Sequence, residues 1–382
     1  MPDINIVSPK WAENVQEAAN GFLPAGDNSS IDSFLTAWRD FKNLLNKSVT
    51  AGSIFSNPIV STYSLVYTAA LAYAGGVLSS NGDLHFVPRQ ANRGQKIDIN
   101  GNVSTYSLIY TLTSGSGAYI GGVLAPNGDI HFVPYSANRG QKVSSSGVVS
   151  TYSLVYTALF AYVGGVVAPN GDIHFIPWSG RVGQKISLAG VVSTYSLIYS
   201  RSEAYGAGVL APNGDIHFVP VAANRGQKIS SSGVVSTYSL VYTASGGRAY
   251  FGGVLNASGD IHFIPSWGNR GQKISSNGVV STYSLIYTNG TTSAAVGGVL
   301  APNGDIHFVP TAVGTKINSS GVVSTYSLLY VGITNEWAGG VLMPNGEIHF
   351  IPQSANRGQK ISTTSALPFD IGTCCSSFLN KL

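Results

Sequence analysis

The sequence repeats one pattern seven times, and this repetition limits the chain to a small set of folds. The string STYSL begins at seven serines, at intervals of 43, 46, 43, 43, 45 and 43 residues: Ser61, Ser104, Ser150, Ser193, Ser236, Ser281 and Ser324. A second string, close to PNGDIHFVP, also occurs seven times and contains every histidine of the protein. Periods of about 40–50 residues are typical of solenoids and β-propellers, and the strand content of one unit decides between them.

Each unit contains four segments with the pattern of short β-strands. In the second unit we place strands A, B, C and D at 118–125, 129–133, 141–144 and 148–156. The turn between A and B contains Asn127-Gly128, a strong hairpin signal. Four short antiparallel strands per unit predict a propeller blade. The paired glycines of strand A, such as Gly121-Gly122, allow close backbone approach, so we expect strand A to be innermost.

The first and last repeats begin and end at different points of the four-strand unit. The chain enters the first unit on a D-type strand from Ile59 to Tyr67, whereas the last unit, 337–362, has strands A, B and C only. Pairing the N-terminal strand with the last blade removes both open sheet edges, which otherwise invite aggregation. The sequence therefore predicts an all-β, seven-bladed β-propeller of four-stranded blades over 58–362, closed by its N-terminal strand.

A resemblance to known families rests on the string GGVLAPNGDIHFVP. This Gly-Gly strand followed by a Pro-Asn-Gly hairpin resembles kelch-like propellers, and it is similar to PNG-hairpin repeats in proteins of marine microbes and their viruses. The resemblance covers about residues 58–362 and implies the propeller fold. It does not specify a function, because propellers host many functions.

Composition excludes several classes of protein. Net charge is only +4, without the concentrated basic character of a nucleic-acid binder. No apolar run approaches the roughly 18 residues of a membrane span, and the N-terminus lacks a secretory pattern. Cys374 and Cys375 are neighbours, so they do not form a disulfide framework. We expect a reducing compartment, or release without a classical signal, if the protein is not part of a virion.

The two flanks of the repeat, 1–57 and 363–382, have a different character. We predict a short N-terminal helical segment whose second helix, from about residue 30 to 47, carries an apolar stripe that includes Phe34, Trp38, Phe41 and Leu45. The tail is also apolar, with Phe378 and Leu379. These six residues are candidate assembly anchors, which either pack on the propeller itself or dock on other protein subunits.

The repeated histidines and acids have two interpretations. One histidine per blade suggests a metal ring, but side chains in neighbouring blades are too far apart to share an ion at about 2 Å. We therefore interpret the histidines as blade-internal hydrogen-bonding groups. The acid after each A–B turn is interpreted as a turn cap, because one carboxylate per turn is too few for calcium. We predict no metal and no cofactor.

One face of the propeller varies more than the other. The B–C and D–A connections share this face, and we name it the variable face. Its candidate ligand-binding aromatics are Trp178, Trp267 and Tyr135, which we expect to be exposed. Six arginines in the B–C loops either bind carboxylate or sulfate groups of sugars or bridge adjacent blades through backbone carbonyls: Arg93, Arg139, Arg181, Arg225, Arg270 and Arg357.

No catalytic constellation stands out from the repeat, and a repeated residue is a poor candidate for a unique catalyst. We therefore expect a non-enzymatic structural and interaction protein. The first hypothesis is a virion component of a phage, such as a capsid decoration or tail protein, that docks through its flanks. The alternative is a lectin that binds a host-surface glycan on the variable face or in the grooves between blades.

The assembly hypothesis makes a direct prediction. Because the apolar anchors lie in the flanks, the full chain should form high-mass assemblies, whereas a 58–362 fragment should be monomeric. Light scattering measures both masses. Two monomers would contradict the hypothesis.

Overall fold

A computed structural model describes residues 58–243, 247–286, 295–311, 313–330 and 336–363. They form seven four-stranded antiparallel sheets, which confirms the predicted propeller. The predicted N-terminal helices and the six assembly anchors lie outside the described residues. The flanks 1–57 and 363–382 therefore stay predictions as separate segments.

The strands fall into four sets by their position in the blade. The A strands are β2 (Tyr73–Leu78), β6 (Tyr119–Leu124), β10 (Tyr162–Val167), β14 (Tyr205–Leu210), β18 (Tyr250–Leu255), β22 (Ala295–Leu300) and β26 (Trp337–Leu342). The B strands are β3 (Leu84–Pro88), β7 (Ile130–Pro134), β11 (Ile173–Pro177), β15 (Ile216–Pro220), β19 (Ile261–Pro265), β23 (Ile306–Pro310) and β27 (Glu347–Pro352). The C strands are β4 (Arg93–Ile97), β8 (Arg139–Val143), β12 (Val182–Ile186), β16 (Gly226–Ile229), β20 (Arg270–Ile274), β24 (Gly314–Ile317) and β28 (Arg357–Ser362). The D strands are β5 (Val103–Ser107), β9 (Val149–Ser153), β13 (Val192–Ser196), β17 (Val235–Tyr238), β21 (Val280–Ser284), β25 (Val323–Tyr326) and β1 (Ile59–Ser64).

The N-terminal strand closes the ring. β1 pairs antiparallel with β28 in the register Val60↔Ile361 and Tyr63↔Gly358, and the order of the sheet is β1-β28-β27-β26. The last blade therefore takes its D strand from the beginning of the propeller. The closing strand inferred from the phase of the repeat is confirmed.

The A strands surround the axis, as the glycine pairs predict. Each A strand contacts the A strands of both neighbouring blades, and β26 contacts β2. Gly121 has φ +77°, and a Cβ at this position would lie 2.7 Å from the Cα of Gly164 in the next blade. Glycine is needed here because it accepts positive φ and leaves room for a second backbone.

The D strands are shorter than predicted, and the cause lies in the next blade. Strand D of the second blade ends at Ser153 rather than Tyr156. The amides of Val155 and Tyr156 donate to Oε1 of Gln184 at 3.1 and 2.8 Å. Gln184 is fully buried in the C strand of the following blade. Equivalent pairs of amide hydrogen bonds from the preceding blade are accepted by Gln95, Gln141, Gln227, Gln272 and Gln359.

Each histidine ties three strands of its own blade together. Nδ1 of His131 is hydrogen-bonded to the hydroxyl of Tyr152 at 3.1 Å, and all seven blades make this bond at 3.1–3.4 Å. The Tyr152 ring lies over Gly140, where a Cβ would sit 2.1 Å from the ring. The predicted hydrogen-bonding role of the histidines is confirmed.

The acids after the A–B turns pair with lysines, which the sequence analysis did not predict. Lys142 Nζ lies 2.6 Å from Asp129 Oδ2, and the amide of Ser145 in the C–D turn donates to Asp129 Oδ1 at 3.4 Å. The carboxylate therefore caps the neighbouring turn, while Asn127 Oδ1 accepts from the Asp129 amide at 3.1 Å. An equivalent lysine–acid pair occurs in every blade.

The closing strand can be tested at Gly358. A Cβ there would lie 2.0 Å from the ring of Tyr63 in β1. Gly358→Ala should displace this tyrosine and lower the free energy of unfolding by about 1–3 kcal/mol, as overpacking does elsewhere. Gly297→Ala is the matched control, because its Cβ would meet only Val309 at 3.8 Å. Urea denaturation measures both variants, and equal stabilities would refute the packing argument.

The buried histidines make stability depend on pH. Burial lowers the pKa from 6.5 to about 4 for His85, His131, His174, His217 and His262. Between pH 6.5 and 4 the unfolded chain therefore binds more protons than the folded chain, so the free energy of unfolding falls as pH falls through this window. Urea titrations across it should show this fall, and His131→Gln should reduce the proton uptake on unfolding by about one. A constant free energy of unfolding from pH 7 to 5 would contradict the prediction.

Candidate functional site

Charge is strongly segregated between the two faces of the propeller. All nine arginines of the described residues lie in the B–C or D–A connections or begin a C strand next to them, on the variable face: Arg89, Arg93, Arg139, Arg181, Arg201, Arg225, Arg248, Arg270 and Arg357. The described acids on this face are Glu203 and Glu336, so it carries 9 − 2 = +7. On the opposite face seven lysines neutralise seven acids, and Asp98 leaves −1.

A belt of backbone hydrogen bonds surrounds the axis on the variable face. In six blades of the described chain, the residue after the proline of the B strand donates to the residue before the A strand of the same blade, as Tyr135 N does to Ala118 O at 2.9 Å. At five of these positions the carbonyl accepts from the next blade, as Tyr135 O does from Ala161 N at 2.8 Å. Ala72 N donates to Gln353 O at 2.8 Å and so joins the first and last blades. We call this ring the axial mouth.

The side chains of the axial mouth are the most divergent feature of the repeat. The belt residue after the proline differs in every blade: Arg89, Tyr135, Trp178, Val221, Ser266, Thr311 and Gln353. The preceding string HFVP or HFIP is the same in all seven. A position that varies in every blade directly after a uniform string is typical of a recognition site. This signal was visible in the sequence and was missed there.

The prediction that Trp178 is exposed is wrong. Its exposed fraction is 6%, because it packs on Val163, Val221 and the ring of Phe251 at 5.6 Å. Gly206 lies between these side chains in the ring of A strands, and a Cβ there would come 2.5 Å from Phe251 O. Trp178 and Phe251 therefore form an aromatic wall across blades three to five.

An ion pair lies above this wall. Arg248 donates to both carboxylate oxygens of Glu203, at 2.9 and 2.5 Å, and its Cζ lies 5.5 Å from the Trp178 ring. The hydrogen bonds from Arg248 lower the pKa of the Glu203 carboxyl. Glu203 has φ +58° and Phe160 has φ +60°, each two residues before an A strand. Such backbone costs of order 1–3 kcal/mol and tends to be found at functional sites.

Aromatic rings remain accessible beside the ion pair. Tyr135 is half-buried, and its ring lies 5.2 Å from that of Phe160 at an interplanar angle of 56°. The exposed fraction of Phe160 is 37%. Burial raises the pKa of Tyr135, while the charges of Arg89 and Arg248 oppose the rise. Trp267 has an exposed fraction of 42%, and its amide donates to Arg248 O at 2.8 Å. The predicted exposure is thus found at Trp267 and in part at Tyr135.

A unique carboxylate lies on the other side of the axial mouth. Glu336 stands where the six other blades have alanine, and its carbonyl accepts from Gln353 N at 2.7 Å. Its side chain is buried, and Oε2 has no hydrogen-bond partner among the described residues. Phe160, Glu203, Arg248 and Glu336 were missed as site residues because none of them belongs to a repeated motif.

The loop arginines stack on tyrosines rather than bonding to backbone carbonyls. Arg93 Cζ lies 5.1 Å from the ring of Tyr67, which precedes the first blade in the chain. Arg139, Arg225, Arg270 and Arg357 make the same contact at 5.2–5.4 Å. Arg181 is exposed, and its amide lies 3.5 Å from the hydroxyl of Tyr156. All six arginines are accessible to a ligand.

Among the described residues, no group of three or more His, Cys, Asp or Glu side chains could hold a metal ion. No helix there is long and apolar enough to cross a membrane.

Comparisons with known proteins show the fold. No protein-family model matches the chain, and no curated protein is similar to it in sequence. A solved streptogramin B lyase is similar at 21% identity and TM-score 0.68, covering 83% of this chain and 100% of the lyase. Virginiamycin B lyase from Staphylococcus aureus is similar at 18% identity and TM-score 0.69, covering 81% and 100%. An extracellular domain of a putative one-component system from B. thetaiotaomicron matches at 10% identity and TM-score 0.60, covering 81% of this chain and 40% of that one.

These matches correct one expectation and limit another. The expectation that the chain is not an enzyme is overturned, because solved proteins that share this propeller over their full length are lyases. At these identities the likeness shows the fold, and lyase activity is a property of those proteins. The kelch-like and PNG-hairpin resemblance is not shown by any of them and stays a prediction. What the comparisons establish for this chain is a seven-bladed, all-β propeller.

Proposed function

We infer that the protein binds a glycan, with one principal site at the axial mouth of the variable face. The observation that carries this proposal is the juxtaposition of accessible aromatic rings with an oriented ion pair. Tyr135, Phe160, Glu203, Arg248 and Trp267 lie on four successive blades and meet at one edge of the mouth. No other blade repeats this set of side chains.

The aromatic rings suit the apolar faces of sugars. Tyrosine and tryptophan combine a large apolar surface with a polar end, and they order few rotatable bonds on binding. Phe160 and Trp267 are exposed while their backbones are held by hydrogen bonds next to the belt: Ser179 N donates to Phe160 O at 3.0 Å, and Trp267 N donates to Arg248 O at 2.8 Å. A sugar ring stacked on either side chain would therefore meet a surface that is already in place.

The ion pair suits the hydroxyl groups of the same ligand. Arginine offers a planar fork of donors, and glutamate offers two acceptor oxygens. Arg248 is oriented by Trp178 beneath it and by two bonds to Glu203. A fixed arrangement of donors and acceptors lowers the entropy cost of binding.

The shape of the belt predicts a stoichiometry of one. Bulky residues occupy the belt in blades one to three, whereas Ser266, Thr311 and Gln353 occupy it in blades five to seven. A ligand on the aromatic side therefore faces small or uncharged polar residues across the axis. Seven equivalent sites would need seven equivalent belt residues.

The virion role stays a separate proposal. It rests on the low charge, on the near-identity of the repeats and on the apolar flanks, whose candidate anchors lie outside the described residues. A glycan site on the variable face is compatible with a virion component that docks through its flanks.

Binding to a glycan array, followed by calorimetry with the best ligand, tests the proposal. The full chain should bind one ligand per chain, and Arg248→Ala or Phe160→Ala should weaken binding at least about tenfold, or about 1.4 kcal/mol. Val234→Ala, an exposed position on the opposite face, is the control that should bind normally. No ligand on the array, or unchanged affinity in both mouth variants, would overturn the proposal. Because fold relatives are lyases, mass spectrometry of the bound glycan should accompany the calorimetry.

A further inference from the structure

Five blades display the same arginine in the same setting. Arg93, Arg139, Arg225, Arg270 and Arg357 are exposed at the start of the C strands. Among the described residues, none of them has a carboxylate within ion-pair distance. They supply five of the seven excess positive charges of the variable face. By contrast, every described lysine of the repeat forms an ion pair with an acid. The repeat therefore neutralises its lysines and leaves these arginines without an ion pair.

Each of these guanidinium groups is held in one orientation. One face of Arg93 lies over the Tyr67 ring, and Nε donates to Oδ1 of Asn92 at 3.2 Å. The Tyr67 amide in turn donates to the buried Gln95 at 2.8 Å. The other four arginines make the same bond to the preceding asparagine at 3.3–3.4 Å. Among the described residues, no hydrogen bond uses their terminal Nη groups, so the exposed donor fork is available to a ligand.

We propose that these five arginine–tyrosine units bind repeated sulfate or carboxylate groups along one acidic polysaccharide. A guanidinium fork binds a single oxyanion with two parallel hydrogen bonds. Five forks on one rigid ring engage several such groups at once, so binding to a polymer exceeds binding to one group by avidity. The proposal deepens the proposed function, because it rests on glycan binding and assigns the glycan an acidic character.

The geometry favours a polysaccharide over a single-stranded nucleic acid. Proteins that bind single strands stack bases on open aromatic faces. Here one face of each tyrosine is covered by an arginine, and its edge contacts the next aromatic ring, as between Tyr67 and Tyr73 at 6.2 Å. The tyrosines orient the arginines and leave little ring surface for a base. An oxyanion needs only the outward fork.

The repeat contains its own internal controls. In the third blade the loop is shortened to Gly180-Arg181-Val182, and Arg181 is exposed without the stacked geometry of the other five. The sixth blade has Thr311-Ala312-Val313 and no arginine. The units therefore occupy blades one, two, four, five and seven.

Binding of the full chain to dextran sulfate, with neutral dextran as the matched probe, tests the proposal. Dextran sulfate should bind at least about 100-fold more tightly than a sulfated monosaccharide, because several units act together. Neutral dextran should not bind at these units. Equal affinity for polymer and monosaccharide would overturn the multivalent arrangement.

Two triple variants separate the fork from net charge. Arg93→Gln, Arg225→Gln and Arg357→Gln together should weaken binding to dextran sulfate at least about tenfold, since three of five contacts are lost. The same three positions changed to lysine keep the charge but lose the fork, and this variant should also bind several-fold more weakly. A lysine variant that binds like the natural chain would overturn the proposal in favour of a diffuse field.

Independent readouts separate this proposal from the proposed function. Arg248→Ala should retain binding to dextran sulfate. The triple glutamine variant should retain one-to-one binding of the best neutral glycan found on the array. Duplex DNA and vesicles containing phosphatidylglycerol complete the set of probes. The assignment to a polysaccharide is overturned if the natural chain binds DNA or the vesicles as tightly as dextran sulfate, and if the lysine variant binds that probe more weakly by the same factor.

Discussion

A buried glutamine in the C strand sets the geometry of six blade junctions. Its side-chain oxygen accepts two amides of the chain that arrives from the preceding blade, as Gln95 does from Val66 and Tyr67. The backbone therefore stops pairing as a D strand and crosses to the axis at a defined point. That crossing brings a tyrosine under the loop arginine, and it delivers the next chain segment to the hydrogen-bonded belt. Both candidate sites on the variable face depend on this one contact, since the axial mouth and the arginine–tyrosine units lie on either end of the same crossing. The sixth blade has Thr315 at this position and also lacks the loop arginine.

The sequence predicts the architecture well because the architecture is encoded locally and repeated. Turn residues, glycine pairs and the phase of STYSL suffice for the four strands, the innermost strand and the closing strand. The errors arise where distant residues decide. The D strand ends early because Gln184 lies about 30 residues beyond Val155, in another blade. Trp178 is buried because the ring of Phe251, two blades further along, packs against it. In the blade between them, a Cβ at Gly206 would lie 2.5 Å from the carbonyl oxygen of Phe251. Neither contact has a signature in one repeat, so analysis of one repeat could not find it.

Net charge is the least informative quantity in this sequence. A value of +4 suggests a protein without electrostatic preference. Among the described residues, lysine and arginine have separate roles: each lysine pairs with an acid near an A–B turn, and each arginine lies on the variable face. The opposite charges of a close ion pair cancel at a distance, so the arginines without an ion pair dominate the field that an approaching ligand meets. Segregation by residue type is readable only once the pairing partners are known.

A repeated fold can hold a unique site where its blades diverge. The expectation of a non-enzyme rested on the argument that a residue present in every blade is a poor catalyst. That argument holds for the histidines, whose hydrogen bonds to tyrosines occupy them in all seven blades. The argument does not apply to Glu203, Arg248 or Glu336. Each of these side chains is found at its position in one blade only, in a connection next to the axis. These positions are free to diverge because their backbones are fixed by the belt, while their side chains are not needed to fill a blade core. The constant scaffold and the variable mouth are therefore two consequences of the same hydrogen-bonded ring.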